Sequence, residues 1–262
     1  MTVDLTLKYT ELNGKLSLTL GQPNPLLIFI SSLQILGSIG DIAMERILEA
    51  FVGEYASGKS EVAINRALEL LRQGRRVKLV DLDLVEPFFT LRPIKDNLEK
   101  EGLEVIAWNT CDFVGLGEIG IPMQPQMKWA LEGGGDVILD VGYGVRGAET
   151  LNLVQGAKEK DLKVYAVINI ARPMTATVKD IVEFVKSLGR VDGLINNSHL
   201  GDETDAGVLE EGSRIVSEAA RILNLKVVAT TVAEEFSNLV SSHDASGNPV
   251  KIINRYMKNA YW

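Results

Sequence analysis

Short apolar runs alternate with stretches of helical periodicity from residue 46 to the end of the chain. The apolar runs predict strands at residues 47–52, 77–82, 104–108, 137–139, 164–170, 193–195 and 227–231. Between them, apolar residues three or four positions apart predict amphipathic helices, with one stripe formed by Ala63, Ile64, Ala67, Leu68 and Leu71 and another by Val178, Ile181, Val182, Val185 and Leu188. Strands that alternate with helices favour a three-layer α/β fold, in which a mostly parallel central sheet has helices on both faces.

Residues 1–43 have a different pattern and predict a small appendage in front of a main domain at residues 44–262. Apolar and polar residues alternate on both sides of Asn13-Gly14, a dipeptide that suits a tight turn, so we predict a β-hairpin. The uncharged segment "LLIFISSLQILGSIG" at 26–40 is shorter than the roughly 20 apolar residues that a membrane-spanning helix needs. We therefore expect a buried helix or strand there rather than a membrane contact.

Composition narrows the classes of function. The formal net charge of -8 offers no overall attraction for nucleic acid or for an anionic membrane. Cys111 is the single cysteine, so no internal disulfide can form, and the two histidines do not suffice for a zinc or nickel cluster of His and Cys ligands. Since the N-terminus also has no pattern of a secretory signal, we expect a cytoplasmic protein that binds no nucleic acid.

The stretch Gly53-x-x-x-x-Gly58-Lys59-Ser60 lies between a predicted strand and a predicted helix, as a phosphate-binding loop does. Glycines let backbone N–H groups turn toward an anion, the helix N-terminus adds its positive dipole, and the lysine adds a full charge. The serine hydroxyl suits Mg²⁺ held by the β- and γ-phosphates. The predicted nucleotide-binding residues of this loop are Gly53, Glu54, Tyr55, Ala56, Ser57, Gly58, Lys59, Ser60 and Glu61.

Carboxylates lie at the ends of two later strands, at the edge of a parallel sheet where ligands bind. Asp81 and Asp83 end the strand in "VKLVDLDLVEP", and side-chain alternation places both on one side unless the strand has already ended. The alternative role for this pair is to cap the next turn. Asp140 ends the strand in "GGDVILDVGYG", where the following glycines allow close approach of a metal-bound phosphate, and we interpret Asp136 as a turn residue.

Taken in order, these motifs resemble the P-loop ATPases of the MinD/ParA/CobQ type, which belong to the SIMIBI class. The resemblance extends from residue 46 to the C-terminus and includes "VINIARP" at 167–173 and "GLINN" at 193–197. It implies that Asp81 or Asp83 organises magnesium and the attacking water, and that Asp140 contacts magnesium directly or through water. It also implies that Asn196, with Asn197 close behind, reads the adenine base.

The function implied by this resemblance is magnesium-dependent ATP hydrolysis in a nucleotide-dependent switch. ATP or ADP and Mg²⁺ are the expected cofactors, with Lys59, Asp81 and Asp83 as catalytic residues and Ser60, Asp83 and Asp140 as the metal site. GTP-binding relatives commonly carry an Asn-Lys-x-Asp motif, whose aspartate accepts from guanine. The segment "NNSH" at 196–199 has no such carboxylate, so ATP is expected rather than GTP.

One position departs from the family pattern. MinD and ParA proteins usually carry an additional lysine after the first glycine, which reaches across a nucleotide-bound dimer, but this chain has Glu54 there. We expect this glutamate to point outward, away from the polyphosphate. Arg146 is a candidate substitute cation, with an exposed loop arginine as the alternative reading, and we expect His199 to be a loop or capping residue. Because this lysine is absent, the sequence leaves open whether the protein forms a homodimer.

One other function, a ligase, stays open beside this switch. A ligase of the CobQ or dethiobiotin-synthetase type would use ATP to activate a small carboxylate, with the irregular loop at 110–126 contacting the substrate. A switch would instead bind a protein partner, for which the hairpin and the apolar segment 26–40 are candidates. A GTPase metallochaperone is disfavoured, since the metal ligands and the guanine motif are missing.

Overall fold

The computed structural model describes residues 9–12, 15–18, 45–84, 90–108 and 122–257. The chain divides into two compact units, Met1–Glu45 and Arg46–Trp262. In the first unit, β1 (Tyr9–Leu12) and β2 (Lys15–Leu18) pair antiparallel with Leu12 opposite Lys15, which confirms the predicted hairpin. The apolar segment 26–40, most of the loop at 110–126 and Cys111 lie outside the described residues.

The second unit is built on a sheet in which every pair of neighbouring strands is parallel. The order across the sheet is β10-β9-β8-β7-β3-β6-β4-β5. Because parallel strands end on the same side, their carboxyl ends lie along one edge, with β3 near the middle. The strands are β3 (Leu48–Gly53), β4 (Val77–Leu82), β5 (Glu104–Ile106), β6 (Asp136–Val141), β7 (Lys163–Ile168), β8 (Gly193–Asn196), β9 (Val227–Ala233) and β10 (Val250–Ile253).

Helices cover both faces of this sheet, as the alternating pattern predicted. Ile64 of the first helix shares a buried apolar cluster with Phe51 and Ile138. Ile181 and Val216, from two later helices, belong to a second cluster with sheet residues that point the other way. The described helices are α1 (Lys59–Arg72), α2 (Lys95–Lys100), α3 (Pro125–Lys128), α4 (Gly144–Glu149), α5 (Val178–Ser187) and α6 (Ala206–Leu223). None of these helices combines the length and the apolar character that crossing a bilayer requires.

The starts of the two helices on the second face are fixed by local side-chain chemistry. At α5, the Thr177 hydroxyl accepts from the Asp180 N–H at 3.2 Å, and the Asp180 carboxylate accepts in return from the Thr177 N–H at 3.1 Å. At α6, the Asp205 carboxylate accepts from the Val208 N–H at 2.9 Å. These bonds satisfy N–H groups that have no partner inside the helix, so each helix begins at a defined residue.

Three sequence-based expectations for the sheet need correction. Asp136 is not a turn residue: it is the first residue of β6, buried, where it accepts from the Ile47 N–H at 2.9 Å and pairs with Arg75. The strand predicted at 104–108 is only Glu104–Ile106. β10 (Val250–Ile253) was not predicted, and it extends the sheet beyond β9 through parallel pairing.

The packing of α1 on the sheet generates a stability prediction. Ile138 is fully buried in the central strand β6, so Ile138→Ala leaves a cavity under α1 and is expected to lower the free energy of unfolding by about 2–5 kcal/mol. Ile252→Ala is the matched control, since Ile252 is 47% exposed and its loss is expected to cost far less. Urea unfolding followed by circular dichroism measures both changes, and equal losses would contradict the assigned core.

Candidate functional site

The loop between β3 and α1 has the shape of a phosphate cradle, and two glycines determine it. A Cβ atom at Gly53 would lie 2.5 Å from the Val167 carbonyl oxygen of the neighbouring strand. Gly58 has φ 87°, and a Cβ atom there would lie 2.1 Å from Nδ2 of Asn197. A side chain at either position would force the loop to shift. At Gly53 the space is already occupied, and at Gly58 the left-handed backbone conformation is also unfavourable for a residue with a Cβ atom.

Lys59 is 8% exposed and folds back over this loop. Its Nζ donates to the Glu54 carbonyl oxygen at 2.8 Å. Burial lowers the pKa of Lys59, whereas the charges of Asp140, Asp83 and Glu54 act in the opposite direction. The hydroxyl of Ser57, also buried, has no hydrogen-bond partner among the described residues. The loop therefore offers a cation and an unused hydroxyl at the place where an anion would bind.

Asp140 is a carboxylate buried in this site beside the Ser60 hydroxyl. It is 2% exposed, and neither oxygen has a well-formed hydrogen bond among the described residues. Burial raises the pKa of Asp140 to about 8, and the charge of Asp81 adds to this, while the nearby Ser60 hydroxyl and Lys59 act against it. A buried carboxylate with unused oxygens beside a serine hydroxyl fits a Mg²⁺ site. Among the described residues no three His, Cys, Asp or Glu side chains form a metal cluster. A Mg²⁺ ion at this place would therefore also need oxygen atoms from a bound molecule.

Asp81 and Asp83 lie in different surroundings, because β4 ends between them at Leu82. Asp81 is fully buried and pairs with the equally buried Arg92, with Nε and Oδ2 2.6 Å apart. Burial raises the pKa of Asp81 to about 6, although Arg92 acts in the opposite direction. Asp83 is partly exposed and lies against Gly142, where a Cβ atom would be 3.1 Å from Oδ1. Asp83 is therefore the member of the pair that lies beside the loop following Asp140.

Arg92 was not anticipated from the sequence. It follows Asp81 by eleven residues, outside any motif, and its Nη2 donates to the Asp83 carbonyl oxygen while its Nε holds Asp81. The guanidinium thus fixes both the carboxylate and the backbone of the "DLD" segment. No local pattern in the sequence identifies Arg92 as the partner of Asp81, because the two residues lie in different segments of the chain.

The two predicted asparagines have separate surroundings. Asn197 donates to the Ser57 carbonyl oxygen at 2.8 Å and accepts from the Thr231 hydroxyl at 2.7 Å, so it joins the phosphate loop to β9. Asn196 is 1% exposed, and its amide bonds to Thr230 at 3.3 Å and to the Ser198 hydroxyl at 2.7 Å. Asn196 does not line the cavity beside the loop, whereas Asn197 does.

A cavity of about 50 Å³ lies next to the phosphate loop, on the side of β8, β9 and β10. Its walls combine apolar and polar groups, as those of small-molecule sites do. It lies on the opposite side of β3 from the carboxylates of β4 and β6. Residues from four regions of the chain line it, among them Gly58, Glu61, Asn197, His199, Phe236, Ile253 and Arg255.

His199 is held beside this cavity as a neutral ring. Burial lowers the pKa of His199 to about 4, and the charges of Arg172 and Arg255 act in the same direction. Nδ1 accepts from the Gly201 N–H at 3.1 Å, so the neutral ring carries its proton on Nε2. Nε2 is 3.9 Å from the position of a Cβ atom at Gly58, and it therefore faces the start of α1. This side chain caps a turn, as expected, and also presents a donor to the cavity.

Asn169 is a second residue that sequence reasoning missed. It is fully buried, and its amide oxygen accepts from the N–H groups of Ala171 at 3.0 Å and His199 at 3.3 Å. The loops that follow β7 and β8 are thereby tied together. An asparagine directly after an apolar strand in "VINIARP" is the signal that could have found it.

The remaining predicted residues lie around the loop without a ligand-directed contact. Glu54 is half-buried, so it does not simply point outward as expected. Tyr55 is 40% exposed, and its ring packs edge-to-face on that of Tyr143 with centroids 5.5 Å apart. Glu61 is buried and bonds to the C-terminal backbone instead of facing the loop. Arg146 lies exposed on α4.

No protein-family model matches the chain, and a search of curated proteins gives no match. Among solved structures, it is similar to the cell division protein FtsY of Thermotoga maritima at 17% identity and a TM-score of 0.47, over 72% of this chain and 63% of that one. It is similar to the signal recognition particle 54 kDa protein of Aeropyrum pernix in complex with GDP at 18% identity and a TM-score of 0.45, over 79% of this chain and 49% of that one. A nucleotide-binding protein of Archaeoglobus fulgidus in complex with ADP follows at 16% identity and 0.43, over 74% and 84%.

The chain thus spans less than two thirds of the FtsY and the signal recognition particle proteins. At these identities the likeness concerns the fold alone. The sheet order and the loop after β3 described above define a three-layer α/β fold.

Asp140 generates a prediction about stability and pH. Between its ordinary pKa of 3.8 and about 8, the folded protein keeps a proton that the unfolded chain releases, so this group reduces stability as pH rises through that range. Without nucleotide and metal, we expect Asp140→Asn to melt at the parental temperature near the acid end and a few degrees higher at about pH 9. Calorimetry in a buffer series with chelator measures this.

Asp161→Asn is the control, because its carboxylate is 70% exposed. That variant should follow the parental curve of melting temperature against pH. Parallel curves for the parental protein and Asp140→Asn would show that the carboxylate carries no uncompensated charge in the fold.

Proposed function

We propose that this chain is a nucleotide-binding P-loop NTPase of the SIMIBI class that binds ATP or ADP with Mg²⁺ and hydrolyses ATP. Within that class we propose a nucleotide-dependent switch of the MinD/ParA/CobQ type. The observation that carries the proposal is the pairing of a glycine-shaped loop with the buried carboxylate of Asp140. Within the part of the chain that the structure describes, the buried Lys59 of this loop is bonded only to a carbonyl. Both charges are costly when buried, and a phosphate–magnesium ligand would compensate both.

The residues of the loop then have defined tasks. Lys59 exchanges the Glu54 carbonyl for a phosphate oxygen, and the loop N–H groups and the N-terminus of α1 hold the remaining charge. Ser60 and Asp140 would hold Mg²⁺, which when bound neutralises the β- and γ-phosphates. Asp83, beside the loop after Asp140, orients the attacking water. Asp81 serves the site indirectly, since its pairing with Arg92 fixes the backbone of Asp83.

ATP is favoured over GTP by the state of the acids around the cavity. A guanine site uses a carboxylate that accepts from the ring N1–H and from the exocyclic amino group of the base. Both Glu61 oxygens already accept backbone N–H groups, at 2.9 and 2.7 Å, and Asp202 and Glu235 at the rim are paired with Arg255. Among the described acids of the cavity and its rim, each is therefore engaged by the protein. Asn197 takes the base-side position that we expected of Asn196, because Asn197 lines the cavity.

A route for a switch follows from the contact between Tyr55 and Tyr143. Tyr55 belongs to the phosphate loop, and Tyr143 follows the strand that carries Asp140. A change at Asp140 on loss of the γ-phosphate would move Tyr143 and, through the ring contact, the exposed face of the loop. That face is where we expect a protein partner to sense the nucleotide state.

The binding test uses equilibrium titration with fluorescent adenine and guanine nucleotides in the presence of Mg²⁺. We expect ATP and ADP to bind at least about tenfold more tightly than GTP and GDP, a difference of ~1.4 kcal/mol. Lys59→Ala should reduce the affinity for every nucleotide, while Lys179→Ala, an exposed lysine of α5, should not. Equal binding of guanine nucleotides would refute the base assignment, and no nucleotide binding would refute the function.

The hydrolysis test separates the two carboxylates of the "DLD" segment by single-turnover kinetics at saturating ATP. Asp83→Asn should lower the rate about 100-fold with ATP affinity within a few-fold, since an orienting group is lost. Asp81→Asn should mainly destabilise the fold, because the buried Arg92 loses its charged partner. If a stably folded Asp81→Asn protein lost hydrolysis while Asp83→Asn kept it, the two roles would be reversed.

A further inference from the structure

Helix α1 carries a ladder of polar side chains that holds the C-terminal stretch. Glu61, Asn65 and Glu69 are spaced four residues apart and therefore lie on one face of the helix. At one end, Glu69 accepts from Lys251 of β10, with Nζ 2.9 and 3.0 Å from its two oxygens. In the middle, Asn65 donates to the Asn254 carbonyl oxygen and accepts from its N–H group, both at 2.8 Å.

The ladder ends at the phosphate loop. Glu61, in the first turn of α1, accepts from the N–H groups of Tyr256 at 2.9 Å and Met257 at 2.7 Å. This carboxylate is 7% exposed, and Met257 is 8% exposed, so the attachment is buried. Residues 254–257, which we name the strap, are thus fastened to the same helix whose N-terminus forms the phosphate loop. Arg255 of the strap and Ile253 just before it line the cavity.

Arg255 joins the strap to the opposite rim of the cavity. Its Nη1 donates to Asp202, in the turn Gly201–Glu203 after β8, and to Glu235 at 3.0 Å, in the turn Glu234–Leu239 after β9. These acids are exposed, with 86% and 43% of their side chains accessible, so solvent and salt screen the pairs. A buried attachment at Glu61 and a screened one at Arg255 differ in how readily they open.

We propose that the strap retains the nucleoside of a bound nucleotide, with Arg255 as the positioning residue that closes it over the cavity. The inference rests on the proposed function and adds a control of nucleotide release. Its ligand class is the base and ribose of a nucleoside di- or triphosphate, because the strap lies on the side of the cavity and not on the side of the carboxylates. Release then requires Arg255 to leave Asp202 and Glu235, whereas the attachment at Glu61 and Asn65 persists.

The test measures the dissociation of fluorescent ADP from the full chain by stopped-flow displacement. Arg255→Ala should release ADP at least about tenfold faster than the parental protein, because its rim pairs are lost. Removing both partners at once, by Asp202→Asn with Glu235→Gln, should accelerate release by a similar factor. Adding Arg255→Ala to that pair should bring little more, since all three changes break the same contacts. Raising the salt concentration should accelerate release from the parental protein and leave Arg255→Ala nearly unchanged.

Two controls separate the strap from general damage. Arg221→Ala removes an exposed arginine that pairs with Glu218 within α6, and it should release ADP at the parental rate. Inorganic tripolyphosphate, which has no nucleoside, should compete with equal strength for the parental protein and for Arg255→Ala. Parental release from Arg255→Ala, or an equal loss of tripolyphosphate binding, would overturn the strap while leaving the proposed function in place. Failure of the parental protein to bind any nucleotide would overturn both.

Discussion

Parallel pairing of β3 with β6 on one side and β7 on the other is the constraint from which the arrangement of the site follows. Because the strands run the same way, every loop that carries a polar candidate residue emerges at one edge of the sheet. Because β3 is central, the phosphate loop lies between two groups of strands. The strands toward β4 supply carboxylates, and those toward β10 supply amides, a neutral imidazole and an apolar wall. In the proposed function, the strand order thus places the phosphate chemistry on one side of β3 and recognition of the rest of the ligand on the other.

The buried charged groups near the loop differ in how fully neighbouring charges compensate them. Asp81 and Arg92 form an ion pair that is fully buried from solvent, and Asp136 forms an ion pair with Arg75. Lys59 and Asp140, by contrast, have no paired ion bridge among the described residues, and a carbonyl, a nearby hydroxyl and the charges around the loop, including one another, offset their desolvation. Structures tolerate such imbalance where function needs it, and the surrounding packing provides the free energy that holds it in place. The contrast separates groups whose charges the fold itself compensates from the groups that, in the proposed function, bind the nucleotide and its metal ion.

Much of the architecture could be predicted because its signals are local. The Gly53 to Ser60 spacing and the apolar stripes each lie within a short stretch of sequence, and the structure contains the loop and the helices that they predicted. Contacts between distant segments could not be predicted. The partner of Asp81 comes from a later turn, the side of the sheet that Asn196 faces depends on where β8 ends, and β10 is a four-residue strand held by its neighbour. The cavity joins segments separated by most of the domain, so periodicity alone gives no sign of it.

The described sheet also ends in two short edge strands. Its edge strands are β5, with three residues, and β10, with four, whereas β3, β6 and β7 at the centre each have six. Short margins leave few backbone N–H and C=O groups free to template another chain, and Glu104 and Lys251 add charge there. A fully parallel sheet would otherwise be a ready nucleus for edge-to-edge growth. These short, charged edge strands therefore limit the self-association of a domain with a slowly forming, non-local topology.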